Sequence, residues 1–509
     1  MVTGLSAIEF HDGTKHSPRS IREGGHRLDF DNKPRPYKIY ESLPRRPLAE
    51  TMRPSPLPAL TAIAEDLPPG HGVSDLDLDA LTQCCYYSAG ITRRIRRRER
   101  ELLFRAAACT GALYHIDLYL VTGGIDSLDA GVYHFDPMSM AVDVVRKGDY
   151  RARLADATGD HSHVARAPCS MIATSTWWRN AWKYQARTYR HAFWDAGTVI
   201  ANLLAVATSL DHPASVVTGF ADEAVARLVG VEPDHEAPIA IVPIGADCPS
   251  PDAPAITKLD PDTRPLSDHE VDYPLITEAY TASTLRDGEA VTDWRTRWPE
   301  TGVGTRSAGD GATIPLEPVP PEQASKVPLY RAIARRGSCR EYTREPLNVR
   351  KVSTILDRAF HGVPLDDRQS VERLQFNDAY CLINGIEGVD PGAYQLHPKA
   401  GRLEQLHAGD YRNEAGHLAL DQRLGADAAL SIYFMTDLDA VTDQLGNRSY
   451  RVAQLEAAIT AGRLYLGAYA HRDLGATGLT FYDDAVTDFF SPRAAGQTPT
   501  FLWTLGRPA

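Results

Sequence analysis

Gly131-Val-Tyr-His-Phe-Asp-Pro137, followed by Gly148-Asp-Tyr-Arg151, returns as Gly392-Ala-Tyr-Gln-Leu-His-Pro398, followed by Gly409-Asp-Tyr-Arg412. The step is 261 residues, and it also carries Tyr119 to Tyr380, Arg187-Thr-Tyr-Arg190 to Arg448-Ser-Tyr-Arg451, and Phe220-Ala-Asp222 to Phe481-Tyr-Asp483. It still holds at Gly245 and Gly506, which close the apolar segments IAIVPIG and TFLWTLG. A register kept from about residue 113 to 245 without net insertion marks the duplication of one domain. Two related copies in one chain pack by default as homodimers do, about a two-fold axis. The expected state is a monomer acting as a pseudo-dimer, with a higher oligomer as the alternative.

Working outward from the repeat, the first copy reads as a helix around Leu76–Ser88, then strands at Leu113–Val121, Gly131–Phe135 and Cys169–Thr174. A long amphipathic helix from about Ala186 to Ser209 follows, then a short helix at Ala221–Leu228 and a strand at Ala240–Ile244. Strands interleaved with helices predict an α+β fold with α/β-type layers. Residues 249–321 hold 11 of the 35 prolines, which reads as a semi-rigid connector without its own core. The division is therefore an N-terminal arm (1–70), a first domain (71–248), a Pro-rich linker (249–325) and a second domain (326–509).

Composition narrows the function classes. Hydrophobic residues at 43% and charged residues at 24% exclude wholesale disorder. A formal charge of −12 argues against a nucleic-acid partner. No continuous apolar run approaches the ~20 residues of a membrane helix; the longest, Ala196–Thr208, is interrupted by Asn202. Nothing at the N-terminus has the form of a secretory signal, and seven scattered cysteines without CxxC spacing suit reduced thiols. A cytoplasmic protein without a metal site is expected.

The two copies differ in their chemistry-bearing residues. The second opens with a helix, Leu329–Arg335, leading into Arg336-Gly-Ser-Cys-Arg340. Arg336, Ser338 and Arg340 can converge on one dianion, since guanidinium forks match phosphate and a hydroxyl adds a donor; a solvated basic turn is the alternative. The equivalent place in the first copy is Ala64-Glu-Asp-Leu-Pro-Pro69, with no such set. Conversely, the first copy has small residues over Ala106-Ala-Ala-Cys-Thr-Gly-Ala112, which let backbone lie against a flat ligand or simply form a tight loop. The second replaces Cys109–Ala112 by Ser370-Val-Glu-Arg373. The first copy also has Lys183-Tyr184 beside Trp177, Trp178 and Trp182, an acid/base pair or a lysine on an aromatic rim; the second has Gln444-Leu445. An Arg-rich insertion, Arg93-Arg-Ile-Arg-Arg-Arg98, is a solvated face or an anion contact. Two half-sites facing each other across the repeat interface would compose one complete site.

These residues resemble the nitroreductase-like FMN flavoproteins, in particular the SagB/ThcOx-type dehydrogenase branch, over both repeats. Arg336-Gly-Ser-Cys-Arg340 resembles the family's Arg-x-Ser-x-Arg/Lys clamp on the FMN phosphate. Cys109-Thr-Gly-Ala-Leu-Tyr114 resembles the branch's Pro-Ser-x-Gly-Ala-Leu-Tyr loop, with Cys109 where proline is usual. Lys183-Tyr184 resembles the pair implicated in azoline oxidation, and Ala476-Thr-Gly-Leu-Thr480 the turn whose amides approach the flavin N5. The resemblance implies one FMN per chain, contacted by Arg336, Ser338, Arg340, Cys109, Thr110, Gly111, Ala112, Thr477, Gly478 and Leu479, with the reciprocal site dismantled. It implies Lys183 as base or relay and Tyr184 as its partner, or the reverse, in dehydrogenation of an azoline-like small molecule or peptide. Two other readings stand beside it: an NAD(P)H-dependent nitro- or quinone-reductase, and a non-catalytic FMN- or peptide-binding partner protein.

Overall fold

The computed structural model describes residues 5–65, 75–97, 100–299, 302–366 and 374–509. Each copy builds an antiparallel sheet with the same five-strand core. In the first the order is Ala141–Lys147, Gly131–Asp136, Ile116–Thr122, Cys169–Thr176 and Glu236–Ile244. In the second it is Arg402–Ala408, Gly392–His397, Asp378–Ile383, Leu430–Thr436 and Thr498–Pro508. Each sheet's outer edge is closed by a strand from outside its copy. Arg45–Pro47 of the arm pairs with Ala141–Lys147, and Thr313–Pro315 of the linker pairs with Arg402–Ala408. Covering an edge removes a row of unpaired backbone groups that would otherwise recruit another strand.

Strand Ile116–Thr122 is buried along its whole length because both faces of its sheet are covered. Leu118 and Leu120 face the main core, while Tyr119 and Val121 face a second cluster with Val132, Leu154 and Phe220, as the two-residue strand period requires. Strand Ala141–Lys147 was not anticipated from the sequence; its Asp143, Arg146 and Lys147 dilute the apolar signal, yet Asp143 and Arg146 are buried through bonds to His134 and to the carbonyls of Leu228 and Arg227.

Helices Thr188–Ser209 and Ser449–Tyr469 cross at the centre of the molecule. A Cβ on Gly197 would stand 2.4 Å from the Cβ of Ala458, and one on Gly462 would stand 2.4 Å from the Cβ of Ala201. Residues 197 and 458 are equivalent under the repeat, as are 201 and 462. Each position meets its own counterpart, which is the mark of an isologous two-fold contact. Tyr189 and Tyr450, another equivalent pair, lie with their rings 6.2 Å apart and within 4° of parallel. Trp177–Ser209 is long and apolar enough to cross a membrane, but 94% of its most apolar window is buried inside the protein.

The linker differs from the connector expected from its prolines. It carries helices Pro274–Ala282 and Gly288–Thr296, which bury Ile276, Tyr280, Val291 and Trp294 in the joint structure. The arm inserts as well as wraps: helix Ala7–Gly13, closed by a Ser6/Glu9 capping box, puts Phe10 edge-on to Tyr189 and Tyr450 at 5.1 and 5.9 Å. The Arg-rich insertion forms strand Ile91–Arg97, paired with Arg100–Arg105; Arg98 lies outside the described residues.

Candidate active site

The segment after helix Leu329–Arg335 is laid along strand Gly475–Leu479. The Cys339 amide donates to Ala476 O at 3.0 Å, and the Tyr469 hydroxyl donates to Gly337 O at 2.6 Å. The segment Arg336–Arg340 thus meets the strand at Ala476, next in sequence to Thr477. Arg336 reaches into the other copy, where its Nε donates to Ala106 O at 2.7 Å and its Nη2 to Arg105 O and Ala107 O at 2.8 and 3.0 Å. It therefore ties the second copy to the small-residue loop of the first, and its Nη1 has no protein acceptor among the described residues. Ser338 is part-exposed and Arg340 exposed, so their polar ends are free to meet a ligand.

The small-residue loop is held in a conformation that few side chains adopt. Gly111, Ala112 and Tyr114 have φ of 63°, 52° and 50°, and non-glycine residues in this region cost free energy that the surroundings must offset. Asp195, from the central helix, supplies the restraint. It accepts from the Thr110 amide at 2.9 Å, the Thr110 hydroxyl at 2.8 Å, the Cys109 thiol at 3.0 Å and His115 Nε2 at 2.9 Å. Burial, then the Asp195 charge, pushes the Cys109 thiol well above its ordinary range. Cys109 is a hydrogen-bond donor in this setting. Asp195 was not singled out from the sequence; the available signal was that the repeat places carboxylates, Asp195 and Glu456, at the same point of two apolar helices.

Lys183 and Tyr184 end helix Trp177–Tyr184, which Gln185 breaks with φ 49°. Asn180 fastens this helix to the next by accepting from Thr188 Oγ1 at 3.0 Å and His191 Nδ1 at 2.9 Å. The Tyr184 ring then stands edge-on to His191 at 4.6 Å, with its hydroxyl against Gly111, where an added Cβ would be 2.7 Å from the oxygen. Residues 73 apart in sequence are in contact, and only glycine leaves room for the phenol. The Lys183 ammonium sits 5.0 Å from the Tyr184 ring centre. Its pKa is lowered by burial, then by the charges of Lys33 from the arm and Arg340 from the second copy. Burial, then Asp195 and Cys109, raises the Tyr184 phenol well above its usual range. The pair therefore divides into an amine eased toward its neutral form and a phenol held protonated. Trp178 and Trp182 anchor the surroundings by donating to Ser267 Oγ and Asp29 O, each at 2.8 Å.

A small cavity of about 10 Å³, room for about one water, lies beside the loop, lined by Ala107, Ala108, Cys109, Tyr114, Asp195 and Val199. In the second copy Thr480 Oγ1 is buried without a protein partner. Unpaired donors at Arg336, Ser338, Arg340 and Thr480, with a small-residue loop opposite, suit a flat ligand carrying a phosphate. No cluster of ligands for a metal ion occurs among the described residues. The counterparts Asp66–Pro69 and Ser370–Arg373 lie outside the described residues; Gln444 is exposed and donates to Arg297 O at 2.6 Å, and Leu445 is core.

Residues 93–246 match the profile of the Nitroreductase family. The chain is 25% identical over 191 residues to MJ1384 of Methanocaldococcus jannaschii, named provisionally as a nitroreductase; the match covers 36% of this chain and 92% of that one. It is also 25% identical over 136 residues to the Microcin B17-processing protein McbC of Escherichia coli, covering 26% of this chain and half of that protein. A crystal structure from Anabaena variabilis, again named provisionally as a nitroreductase, superposes with a TM-score of 0.79 over 99% of this chain and 100% of the other at 24% identity. That likeness establishes the fold over both copies.

Proposed function

From a chain that carries a nitroreductase-family domain, we propose an FMN-dependent oxidoreductase with one composite site, built by both copies, that dehydrogenates an azoline-like substrate. The observation that carries this reading is the reach of Arg336 into the loop at Ala106, at 2.7 Å. It sets the candidate phosphate residues of one copy against the candidate ring residues of the other.

When bound, the flavin supplies a two-electron acceptor, and the protein supplies binding, orientation and proton management. Arg336 Nη1, Ser338 and Arg340 would hold a flavin phosphate, and Cys109–Ala112 and Thr477–Leu479 would contact the rest of the cofactor. Lys183 Nζ, whose pKa is lowered by burial, would take one substrate hydrogen as a proton, while the second would leave with its bonding pair as hydride to the two-electron acceptor that a bound flavin supplies. Tyr184, kept protonated, donates to the substrate heteroatom and fixes its distance from Gly111. General-base assistance of this kind contributes about 10²–10⁴-fold. The likeness to a Microcin B17-processing protein supports a substrate of peptide origin.

The test is the visible spectrum of the purified chain with released flavin quantified. About one FMN per chain supports the composite site. A colourless protein that takes up no added FMN rejects it and leaves the binding-partner reading. The nitro- or quinone-reductase reading, favoured by the match along nearly all of MJ1384, predicts rapid flavin reduction by NAD(P)H; the dehydrogenase reading predicts reduction by substrate instead.

A further inference from the structure

The repeat allows the composite site to be compared with its own counterpart in the first copy. Thr477, Leu479 and Thr480 correspond to Val216, Thr218 and Gly219. As Gly475–Leu479 runs along Thr498–Pro508, so Ala214 and Val217 bridge to Ile244 and Ile241 of strand Glu236–Ile244. The outer side differs. In the second copy Thr480 Oγ1 is buried and unpaired among the described residues. In the first copy the same face is covered by the second copy's own chain. The Val216 amide donates to Pro364 O at 2.8 Å, and the Asp366 amide donates to Val216 O at 2.8 Å. The Asp366 carboxylate then accepts from the Thr218 amide at 3.0 Å, the Gly219 amide at 2.8 Å and the Thr218 hydroxyl. Trp294 of the linker seals the position, since a Cβ on Gly219 would lie 2.9 Å from its ring.

We propose that Asp366 is an internal ligand: its carboxylate fills, from within the chain, the anion-accepting amide pocket of a second site equivalent to the composite one. The two amides and the hydroxyl form a site for a small carboxylate or similar anion, and the chain satisfies it permanently. Asp366 is buried, so a carboxylate there persists only because these donors replace its water. The segment Val363–Asp366 crosses Val216 and leaves its carboxylate on the amides that follow. This explains why a chain with two copies would bind a single flavin, and to that extent it rests on the function proposed above. The internal ligand itself is independent of flavin.

The experiment separates the two. Asp366→Ala and Asp366→Asn are made in the full chain and their thermal midpoints measured with increasing formate. Asp366→Ala is expected to lower the midpoint and formate to restore much of it, because formate enters the emptied pocket. Asp366→Asn keeps the volume and loses the charge; its midpoint is expected to fall, with no more response to formate than the natural protein shows. The proposal is overturned if Asp366→Asn is as stable as the natural protein, or if formate raises the midpoint of Asp366→Ala no more than that of the natural protein. It is also overturned if the natural chain takes up two FMN. A chain that binds no flavin but shows formate rescue rejects the proposed function and supports the internal ligand.

Discussion

Arg190 donates to Asp483 across the interface between the copies at 2.6 Å, and Arg451, its equivalent, donates to Asp222, the equivalent of Asp483, also at 2.6 Å. A second arginine joins each carboxylate, Arg187 at 3.2 Å and Arg448 at 2.6 Å. All six side chains are almost wholly buried. The segments that betrayed the repeat in the sequence are thus the segments by which the two copies grip one another. Removing one member of a buried ion cluster strands the others, at about 3–5 kcal/mol. Asp222→Asn and Asp483→Asn should each cost that much, and by similar amounts, in urea unfolding followed by far-UV circular dichroism. Burial raises the pKa of both carboxyls and the arginines lower it by more, leaving a net depression. Their contribution is therefore full above the unfolded Asp value of about 3.9 and is lost as the pH falls below it. Each variant should unfold with a shallower acid limb than the natural protein. Unequal losses at the two sites would argue against the two-fold relation.

The helix crossing gives a sharper test of the same relation. Gly197→Ala adds a Cβ 2.4 Å from that of Ala458, which the backbones must separate to admit. Overpacking of this kind costs about 1–3 kcal/mol. The exchange Gly197→Ala with Ala458→Gly restores one small residue to each side of the contact and should recover most of the loss. A double-mutant cycle measured by chemical unfolding would show a coupling of the order of 1 kcal/mol or more. Additive effects would mean that the two positions do not touch.

The sequence made the duplication legible because its motifs recur at one spacing, and the pattern around them also located the central helix and four of the five core strands of the first copy. Helix Leu329–Arg335 was read with its observed ends. Strand Ala141–Lys147 was missed because its charged residues are satisfied by partners remote in sequence, such as His134 and the carbonyl of Leu228. Lys183, Tyr184 and the Cys109–Ala112 loop were legible as departures of one copy from the other. The direction of Arg336, by contrast, depends on three carbonyls more than 200 positions away, and Asp366 gains meaning only when it is seen lying on the amides of Thr218 and Gly219. Contacts between copies have no local pattern, so neither was open to reasoning along the chain.

Lys183 gives a prediction that needs no substrate. Burial lowers its pKa, and Lys33 and Arg340 lower it further. Replacing Arg340 by Ala removes a positive neighbour, which favours the ammonium and moves the titration to higher pH. The rate of acylation of Lys183 by a water-soluble ester, read by mass spectrometry across pH, should therefore reach half its maximum at higher pH in Arg340→Ala than in the natural protein. Lys33→Ala should shift it the same way. With a substrate in hand, Lys183→Ala should lose about 10²–10⁴-fold in kcat, and the alkaline shift in Arg340→Ala should reappear in the pH profile of kcat/KM. An unshifted profile in both variants would remove the second copy and the arm from this site.

Glu456 carries the clearest pH signature of the fold. It stands where the first copy has Asp195, and its carboxyl accepts from the Phe376 amide at 3.1 Å and Asn377 Nδ2 at 2.7 Å. Among the described residues no cation pairs with it, and burial pushes its pKa up to about 7. The unfolded chain releases this proton near the ordinary Glu value of about 4.3, while the folded chain keeps it to about 7. The unfolded state thus binds fewer protons through that window, and stability contributed by the neutral carboxyl is full below it and falls as the pH rises through it. The loss integrates to the order of 3 kcal/mol by pH 8. Glu456→Gln keeps an acceptor for both donors and cannot ionise, so its urea midpoint should stay level between about pH 4.5 and 7 where that of the natural protein declines. The variant should be the more stable of the two at pH 8. Parallel pH profiles for the two proteins would show instead that Glu456 ionises without consequence, and that its hold on Phe376 and Asn377 does not depend on its proton.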